Sequence, residues 1–284
     1  MYQGYANVII LSMKDFFSHK CSDGTRIRQM LPAWAAEPIW ACAIKKDELN
    51  KLLVAHMHAA SVFTDLPKFF ELWDELYPGR TITDETMSDE ELKARAAFAK
   101  QEEDKGHPTL HAHVLVALWA VFEVFIEDLL VGLLINRPEF QEREVFSRVK
   151  ISLADFNLMD TEERARHLLA EVEQQKAARS YGVDRYEHLL DAFDLSGPVE
   201  QEIKKHMYAF NHIRNVLVHR GGKADRRLAE KCPWLNLSVG DQVVVTRQSY
   251  NLYDHFQKEY LFAVTRRVRD KFHLLAKAVT AATS

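Results

Sequence analysis

The chain has 284 residues, of which 47% are hydrophobic and 27% are charged, and its formal net charge is −4. A chain of this length can bury a full core as one large domain or two smaller ones, and its slight acidity restricts any nucleic-acid site to a local basic patch. Ten glycines and eight prolines are few for a β-sandwich or a nucleotide-binding α/β fold, so the composition favours helices.

The cysteines and the N-terminal residues bear on the cellular compartment. Cys21, Cys42 and Cys232 are far apart, odd in number and form no CxxC pair. This pattern favours a reduced, cytoplasmic protein over a disulfide framework or a zinc site. The apolar run at residues 8–11 lacks a basic leader and a long apolar core, so we expect no signal peptide.

Residues 1–77 carry mixed apolar and aromatic segments. The spacing of the apolar residues predicts helices over 47–63 and 66–76. Between residues 32 and 40, two tryptophans alternate with two prolines, which predicts a buried irregular segment. No chemistry can be assigned to this region from its residues.

A polar stretch over residues 78–108 separates two regions of different pattern. A Ser-x-x-Glu capping box begins at Ser88 and predicts a solvated helix over 89–103. We therefore expect a boundary here, with residues 1–105 as an N-terminal helical region of unknown role and residues 106–284 as a second domain.

The apolar segment 114–135 is long enough to raise the question of a membrane span. Glu123, Glu127 and Asp128 lie in its middle, and each would cost about 2.5–3.5 kcal/mol at the centre of a bilayer. A buried core helix is therefore expected, and no membrane partner.

The second region has a strong helical pattern. A capping box at Asp160 and a proline at position 198 mark two helix starts. The valine run within residues 239–247 predicts a short strand or an extended turn. Predicted helices cover residues 109–136, 160–180, 186–193, 197–219 and 250–278. The fold class is therefore predicted to be all-α, with one short strand pair as the only β-structure to be expected.

The end of the predicted helix 197–219 carries the residues with the most chemistry. Arg214 lies about 40° from the apolar Phe210 on a helical wheel. A guanidinium at the border of a buried face needs an anionic partner or a phosphate. Asn211, Asn215 and His219 form a polar stripe at i, i+4 and i+8 on the same helix.

His219 and Arg214 are about 140° apart on an ideal helix, so they do not point at one atom. Three arrangements would bring them together: the arginine swings round, the last turn before Gly221 is distorted, or two copies share one cleft. At a helix C-terminus the dipole favours a protonated imidazole, and such a group can act as general acid or base.

Basic residues follow this helix end and could track a phosphate backbone. They are Arg220, Lys223, Arg226, Arg227 and Lys231, interrupted by Asp225 and Glu230. Chance alone gives about one Arg-x4-His pair in such a chain. The alternative interpretation is a capping histidine, an Arg–Glu ion pair and a solvated basic loop. A second group of basic residues at 266–271 either lines an RNA groove or forms a solvated helix face.

Other motifs give little support for other chemistries. His107, His111 and His113 lack ligand spacing and a carboxylate at a suitable position, so no metal site is expected. Walker, GxGxxG, GxSxG and HExxH motifs are not present in the sequence, which leaves nucleotide hydrolysis, dinucleotide binding, serine hydrolysis and zincin chemistry without support.

The segment RNVLVHRGG, from Arg214 to Gly222, resembles the Arg-x4–6-His motif of the HEPN superfamily (higher eukaryotes and prokaryotes nucleotide-binding). In that family the motif ends a helix and is often followed by glycine. The helix LVALWAVFEVFIEDLL at residues 115–130 resembles the first core helix of the family, which often bears an inward acid. Glu123 is the candidate for that acid, with Arg214 or His219 as its partner; pairing with another base is the alternative.

The resemblance covers about residues 109–281 and implies an up-and-down helical bundle that dimerises with its motif helices facing each other. It also implies metal-independent RNA cleavage without a cofactor. In that scheme Arg214 binds the scissile phosphate, His219 moves a proton, and Asn215 orients either of them. Such domains act as toxins or antiviral effectors under the control of an antitoxin or another regulatory partner. Many members have lost activity, so a non-catalytic module that binds RNA, a nucleotide or a protein is the second hypothesis.

Overall fold

The computed structural model of the chain describes residues 31–78, 88–177 and 180–282. The apolar run at residues 8–11 and Cys21 lie outside these ranges. Within them the chain forms ten α-helices and no β-strand, so the predicted all-α class is confirmed. The helices are α1 (Ala33–Leu76), α2 (Asp89–Asp104), α3 (Pro108–Asn136), α4 (Glu144–Ser147), α5 (Leu153–Leu158), α6 (Thr161–Ala177), α7 (Val183–Asp191), α8 (Gln201–His219), α9 (Arg226–Lys231) and α10 (Arg247–Ala282), with short 3-10 helices at Pro138–Glu142 and Pro233–Leu235.

Helix α1 is continuous over 44 residues, so the predicted irregular segment at 32–40 and the predicted break before residue 66 are both wrong. Two prolines, Pro38 and Pro67, lie inside it. Pro38 cannot donate a backbone hydrogen bond to the carbonyl of Trp34. That carbonyl lies against Gly132 of α3, where a Cβ atom would come within 2.8 Å of it. Burial of the first turns of α1 on α3 outweighs the missing bond.

Capping residues set the helix starts that the sequence predicted best. Glu91 N donates to Ser88 Oγ at 3.3 Å and Ser88 N donates back to Glu91 Oε2 at 3.1 Å. Before α6 the same exchange joins Asp160 and Glu163, with both distances 2.8 Å. Each box satisfies two backbone donors that the helix leaves free.

Helix α3 lies at the centre of the hydrophobic core. Its side chains Leu118, Trp119 and Phe122 are fully buried, and α1, α6, α8 and α10 pack around it. Trp119 meets the ring of Phe210 edge-on at 4.9 Å. Within the described ranges, no helix combines the length and the apolar character that a membrane crossing requires.

Helix α1 behaves differently along its length. Its buried residues all lie between Ala35 and Leu53, and they share one core with the helices of the second region. In its later turns Thr64 donates to Glu103 of α2 at 3.5 Å, and apolar side chains such as Val62 and Phe69 are exposed there. The packing therefore joins residues from both sides of the expected boundary at 105/106.

The segment after α8 is an ordered turn. Val243 N donates to Gly222 O and Ala224 N donates to Asp241 O, both at 2.8 Å. These bonds surround a single antiparallel bridge between Lys223 and Gln242. In the part of the chain that the structure describes, the extended-turn alternative for residues 239–247 is the one observed, because one paired residue is too short for a strand.

Candidate functional site

Arg214 and Glu123 are brought together by α8 and α3. Arg214 Nη2 donates to Glu123 Oε2 at 3.1 Å, and Nη1 donates to Asn215 Oδ1 at 3.0 Å. Both charged side chains keep about a quarter of their surface exposed (26% and 28%), so the pair contributes at most about 1 kcal/mol to stability. Arg214 Nε is buried and has no acceptor within the described ranges.

A second arginine, which no sequence motif indicated, completes this cluster. Arg185 of α7 donates to Glu123 Oε1 at 3.2 Å and through Nε to Glu173 Oε1 of α6 at 2.6 Å. Tyr186 is almost fully buried beside Glu123, and burial followed by the Glu123 charge raises the pKa of its hydroxyl well above the ordinary value. Glu123 therefore bridges two guanidiniums. The four residues Arg214, Glu123, Arg185 and Glu173 are called the cavity cluster below.

Arg214, Arg185 and Glu173 of the cavity cluster line an open cavity of about 400 Å³, and Glu123 lies behind them. The cavity lies between α6, α8 and the segment that precedes α7. Asn211 is buried apart from the part that faces this space, whereas Gln174 is exposed at its rim. The polar residues that line it are Glu173, Gln174, Ser180, Tyr181, Arg185, Asn211, Arg214 and Asn215.

His219 lies elsewhere. It is the last residue of α8, its side chain is exposed, and it does not line the cavity. The helix stays regular to His219 and then ends at Gly221 and Gly222, whose φ angles are +59° and +77°. Gly222 N donates to Val216 O at 3.0 Å. A distorted last turn therefore does not bring His219 to Arg214 within one chain.

The predicted RNA-binding residues form an exposed basic surface next to this helix end. Arg220, Lys223 and Arg226 are exposed, and Arg226 Nε lies 3.8 Å from Glu230 Oε1. Arg227 donates to the hydroxyl of Tyr181 at 2.6 Å, and its guanidinium lies 5.1 Å from the centre of that ring. Since Tyr181 lines the cavity, Arg227 connects the basic surface to it.

His212 lies next to Tyr181, which lines the cavity. It is 2% exposed, lies stacked on Tyr181 at 5.1 Å, and its Nε2 has no partner in the described chain. Burial lowers the pKa of its imidazole, and Arg227 lowers it further, so the neutral form is favoured near pH 7. This residue supports Tyr181 rather than contributing a charge.

The remaining candidates are mostly structural. On the basic edge of α10, Arg267 binds Glu187 at 2.8 Å and Lys271 binds Asp194 at 3.1 Å, which leaves Arg266 as an exposed cation. Cys42 and Cys232 are free and buried, and burial raises the pKa of both thiols to about 11. Among the residues whose positions are described, no group of three or more His, Cys, Asp or Glu side chains could hold a metal ion.

Comparisons of the chain with family models, with curated proteins and with solved structures gave no match. The resemblance to the HEPN superfamily therefore rests on the RNVLVHRGG segment and on the pattern of α3. The structure adds the contacts of those residues: the acid of α3 binds the arginine of the motif, and the histidine of the motif is exposed at the helix end.

Proposed function

We propose that the protein is a metal-independent endoribonuclease with Arg214 and His219 as its catalytic residues. The observation that supports this proposal best is the position of Arg214 and its hydrogen-bond partners. Glu123 and Asn215 hold its guanidinium beside an open cavity, its buried Nε has no acceptor among the described residues, and each terminal nitrogen keeps a second N–H. An arginine so held can bind the two non-bridging oxygens of a phosphodiester.

The reaction needs one proton removed and one supplied. The ribose 2′-oxygen attacks phosphorus and loses its proton, the bond from phosphorus to the 5′-oxygen breaks, and that oxygen gains a proton. An imidazole can serve either step, and His219 is exposed at a helix C-terminus where it can reach a substrate. The products are a 2′,3′-cyclic phosphate and a 5′-hydroxyl.

The cleft of this proposal is shared between two copies of the chain. Arg214 and His219 point in different directions within one chain, so His219 of one copy would complete the site that contains Arg214 of the other. The exposed residues Arg220, Lys223 and Arg226 would then hold the flanking phosphates. As the resemblance implies, such an enzyme acts in the cytoplasm as a toxin or antiviral effector, restrained by a regulatory partner.

The second candidate is a non-catalytic module that binds RNA or a nucleotide. The salt bridge between Arg214 and Glu123 favours it, because an arginine neutralised by an internal acid has less charge to offer a transition state. This candidate predicts binding without turnover.

Cleavage of single-stranded RNA by the full-length protein in EDTA separates the two candidates. We expect cleavage with 2′,3′-cyclic phosphate ends, and a loss of at least about 100-fold in Arg214→Ala and in His219→Ala. Arg148→Ala and His113→Ala are matched controls, because both residues are exposed and neither lines the cavity. Cutting that persists in both motif variants would exclude the assignment, and binding without cutting would favour the second candidate.

Mixing the two inactive variants tests the shared cleft. If one copy supplies Arg214 and the other His219, half of the sites in a mixed dimer are intact, and a random mixture recovers about one quarter of the activity. If each chain carries its own complete site, the mixture stays inactive.

A further inference from the structure

The later turns of α1 carry a heptad repeat of apolar residues. These residues recur at alternating intervals of three and four positions, a period of about 3.5 that is typical of a coiled-coil seam. The repeat covers about 3.5 heptads, or about 36 Å of helix. Its members, called the α1 seam below, are Leu52, Ala55, Ala59, Val62, Leu66, Phe69, Trp73 and Leu76. Pro67 lies between seam positions, and α1 remains helical through it.

The α1 seam faces away from the other described helices. Val62 lies about 160° round the helix from Thr64, which contacts α2. Val62 and Leu76 keep 64% and 62% of their surface exposed, and Leu52 and Phe69 keep 49% and 51%. Within the described ranges, no seam residue belongs to the hydrophobic core or packs against it. An apolar stripe of this length marks an interaction site, and its period indicates that the partner is another helix.

The sizes of the seam residues favour a second, antiparallel copy of α1 as that helix. A two-fold axis at residue 64 would form four kinds of layer, in which Leu52 faces Leu76, Ala55 faces Trp73, Ala59 faces Phe69, and Val62 faces Leu66 of the second copy. The smallest residues then meet the largest, which keeps the layers at similar volumes. A parallel pair would set alanine against alanine and tryptophan against tryptophan, with voids in some layers and overpacking in others.

The charges beside the seam favour the same orientation. The later half of the seam is flanked by four exposed acids and one lysine, which are Asp65, Glu71, Asp74, Glu75 and Lys68. The earlier half is flanked by Lys51, and the sequence has no acid between residues 51 and 60. An antiparallel pair therefore sets the acid-rich half against the half without acids, whereas a parallel pair would bring the acids of both copies together.

We propose that α1 forms an antiparallel coiled coil with α1 of a second copy of the chain. This pairing gives a role to part of the N-terminal region, to which the sequence assigns no chemistry. It goes beyond the proposed function and does not depend on it, because no seam residue lines the cavity and the shared cleft would use α8 instead.

Sedimentation equilibrium of the full-length protein tests the pairing. Phe69→Glu places a charge in two layers of the dimer, so we expect its mass to be half that of the wild type and its dissociation constant to rise by at least about 100-fold. Phe98→Glu is the matched control, because Phe98 is a 60% exposed residue of α2 outside the seam. Both phenylalanines are exposed, so circular dichroism should show the wild-type helix content in both variants. A wild type with the mass of one chain, 32.9 kDa, or equal masses for all three proteins would overturn the pairing.

Disulfide formation between cysteine variants tests the orientation. Leu52 faces Leu76 of the second copy in the antiparallel register, so a mixture of Leu52→Cys and Leu76→Cys should form linked dimers on oxidation. Each variant alone should form no more than the wild type, which controls for Cys21, Cys42 and Cys232. Linked dimers of each variant alone would show a parallel pair and overturn the antiparallel one, as would a mixture that does not link.

Discussion

Two ionic clusters contact α3, and they differ in how far water reaches them. The buried cluster consists of Lys46 from α1 and Asp254, Gln257 and Lys258 from α10. In the cavity cluster the side chains keep 26–34% of their surface exposed, whereas the charged side chains of the buried cluster keep 2–11%. The buried cluster is therefore closed to solvent, whereas the cavity cluster is open to a ligand.

Almost every polar group in the buried cluster is bound to another. Lys46 Nζ donates to Gln257 Oε1 at 2.5 Å and lies 3.0 Å from Asp254 Oδ1, an ionic contact without hydrogen-bond alignment. Lys258 Nζ donates to Asp254 Oδ2 at 2.5 Å, and Gln257 Nε2 donates to the carbonyl of Leu118 on α3 at 3.1 Å. Among the described residues of this cluster, Asp254 Oδ1 lacks a hydrogen bond, but it is buried against Lys46, so the cluster is closed to a ligand and fixes α10 against α1 and α3.

The pKa directions agree with this difference. Burial lowers the pKa of Lys46, although Asp254 opposes the effect, and burial alone would raise the pKa of Asp254. The two lysines outweigh burial at Asp254 and hold its pKa below the ordinary value. Removing one member of such a set leaves charges with neither water nor a partner, and this makes the cluster a structural element rather than a site.

The largest expected effect is the loss of Asp254. Asp254→Asn leaves two lysines without a counter-charge in a buried position, so we expect the free energy of unfolding to fall by about 3–5 kcal/mol. Urea denaturation measures it. Asp270→Asn is the control on the same helix, because Asp270 is 57% exposed. A loss below about 1 kcal/mol would mean that water reaches the buried cluster and that it does not differ from the cavity cluster in this respect.

The second-largest effect is expected where α1 approaches α3 closely. Gly132→Ala places a methyl group 2.8 Å from the carbonyl oxygen of Trp34, and the backbone has to shift. We expect a loss of about 1–3 kcal/mol, as in other overpacked contacts. The exposed Val124→Ala on the same helix should change stability by less than about 0.5 kcal/mol. Because Gly132 does not line the cavity, RNA cleavage should be unchanged under folding conditions; a loss of cleavage would show that the two sides of α3 are coupled.

Local signals predicted part of the fold. The boxes at Ser88 and Asp160 are decided by neighbouring residues, and both were found. The continuity of α1 could not be predicted, since Pro38 is a helix breaker by every local rule and is tolerated only because of burial against α3. The continuity of α1 therefore depends on tertiary packing, which a local sequence pattern does not show.

The candidate site was predictable to a similar degree. A position beside Phe210 indicated that Arg214 needs an acid, and the apolar surroundings of Glu123 indicated that it needs a base. Arg185 and Glu173 lie 62 and 50 positions away from Glu123, and no motif marks either residue. Contacts at that separation depend on how the helices pack, so the cavity itself was not predictable.

Glu123→Gln probes the cavity cluster directly. Its ion pairs are partly solvated, so unfolding free energy should fall by about 1 kcal/mol or less. RNA cleavage should fall by at least about 10-fold, because Arg214 loses the partner that orients it. Glu144→Gln, at an 85% exposed ion pair, is the control. A stability loss above about 3 kcal/mol would place this cluster in the same class as the buried one.

The smallest effect is expected where the charges are most exposed. Asp194 binds Arg143 and Lys271, and its side chain is 63% exposed. The hydrogen bond from Arg143 is the main cause that lowers the pKa of Asp194 from 3.8 to about 2. A carboxylate whose pKa is lowered on folding stabilises the protein above its ordinary pKa, and this stabilisation is lost as the pH falls from about 4 to about 2.

Solvent screening limits the effect at Asp194 to about 0.5 kcal/mol. Urea titrations of the wild type and Asp194→Asn at pH 7 and pH 3 measure it. The two proteins should differ by that amount at pH 7 and by less at pH 3, because at pH 3 the carboxylate of the unfolded wild type is largely protonated and folding has to release that proton. A difference that grows in acid would reverse the sign of the linkage. A difference of several kcal/mol at pH 7 would show that the stability contribution of an ion pair in this protein does not follow its burial.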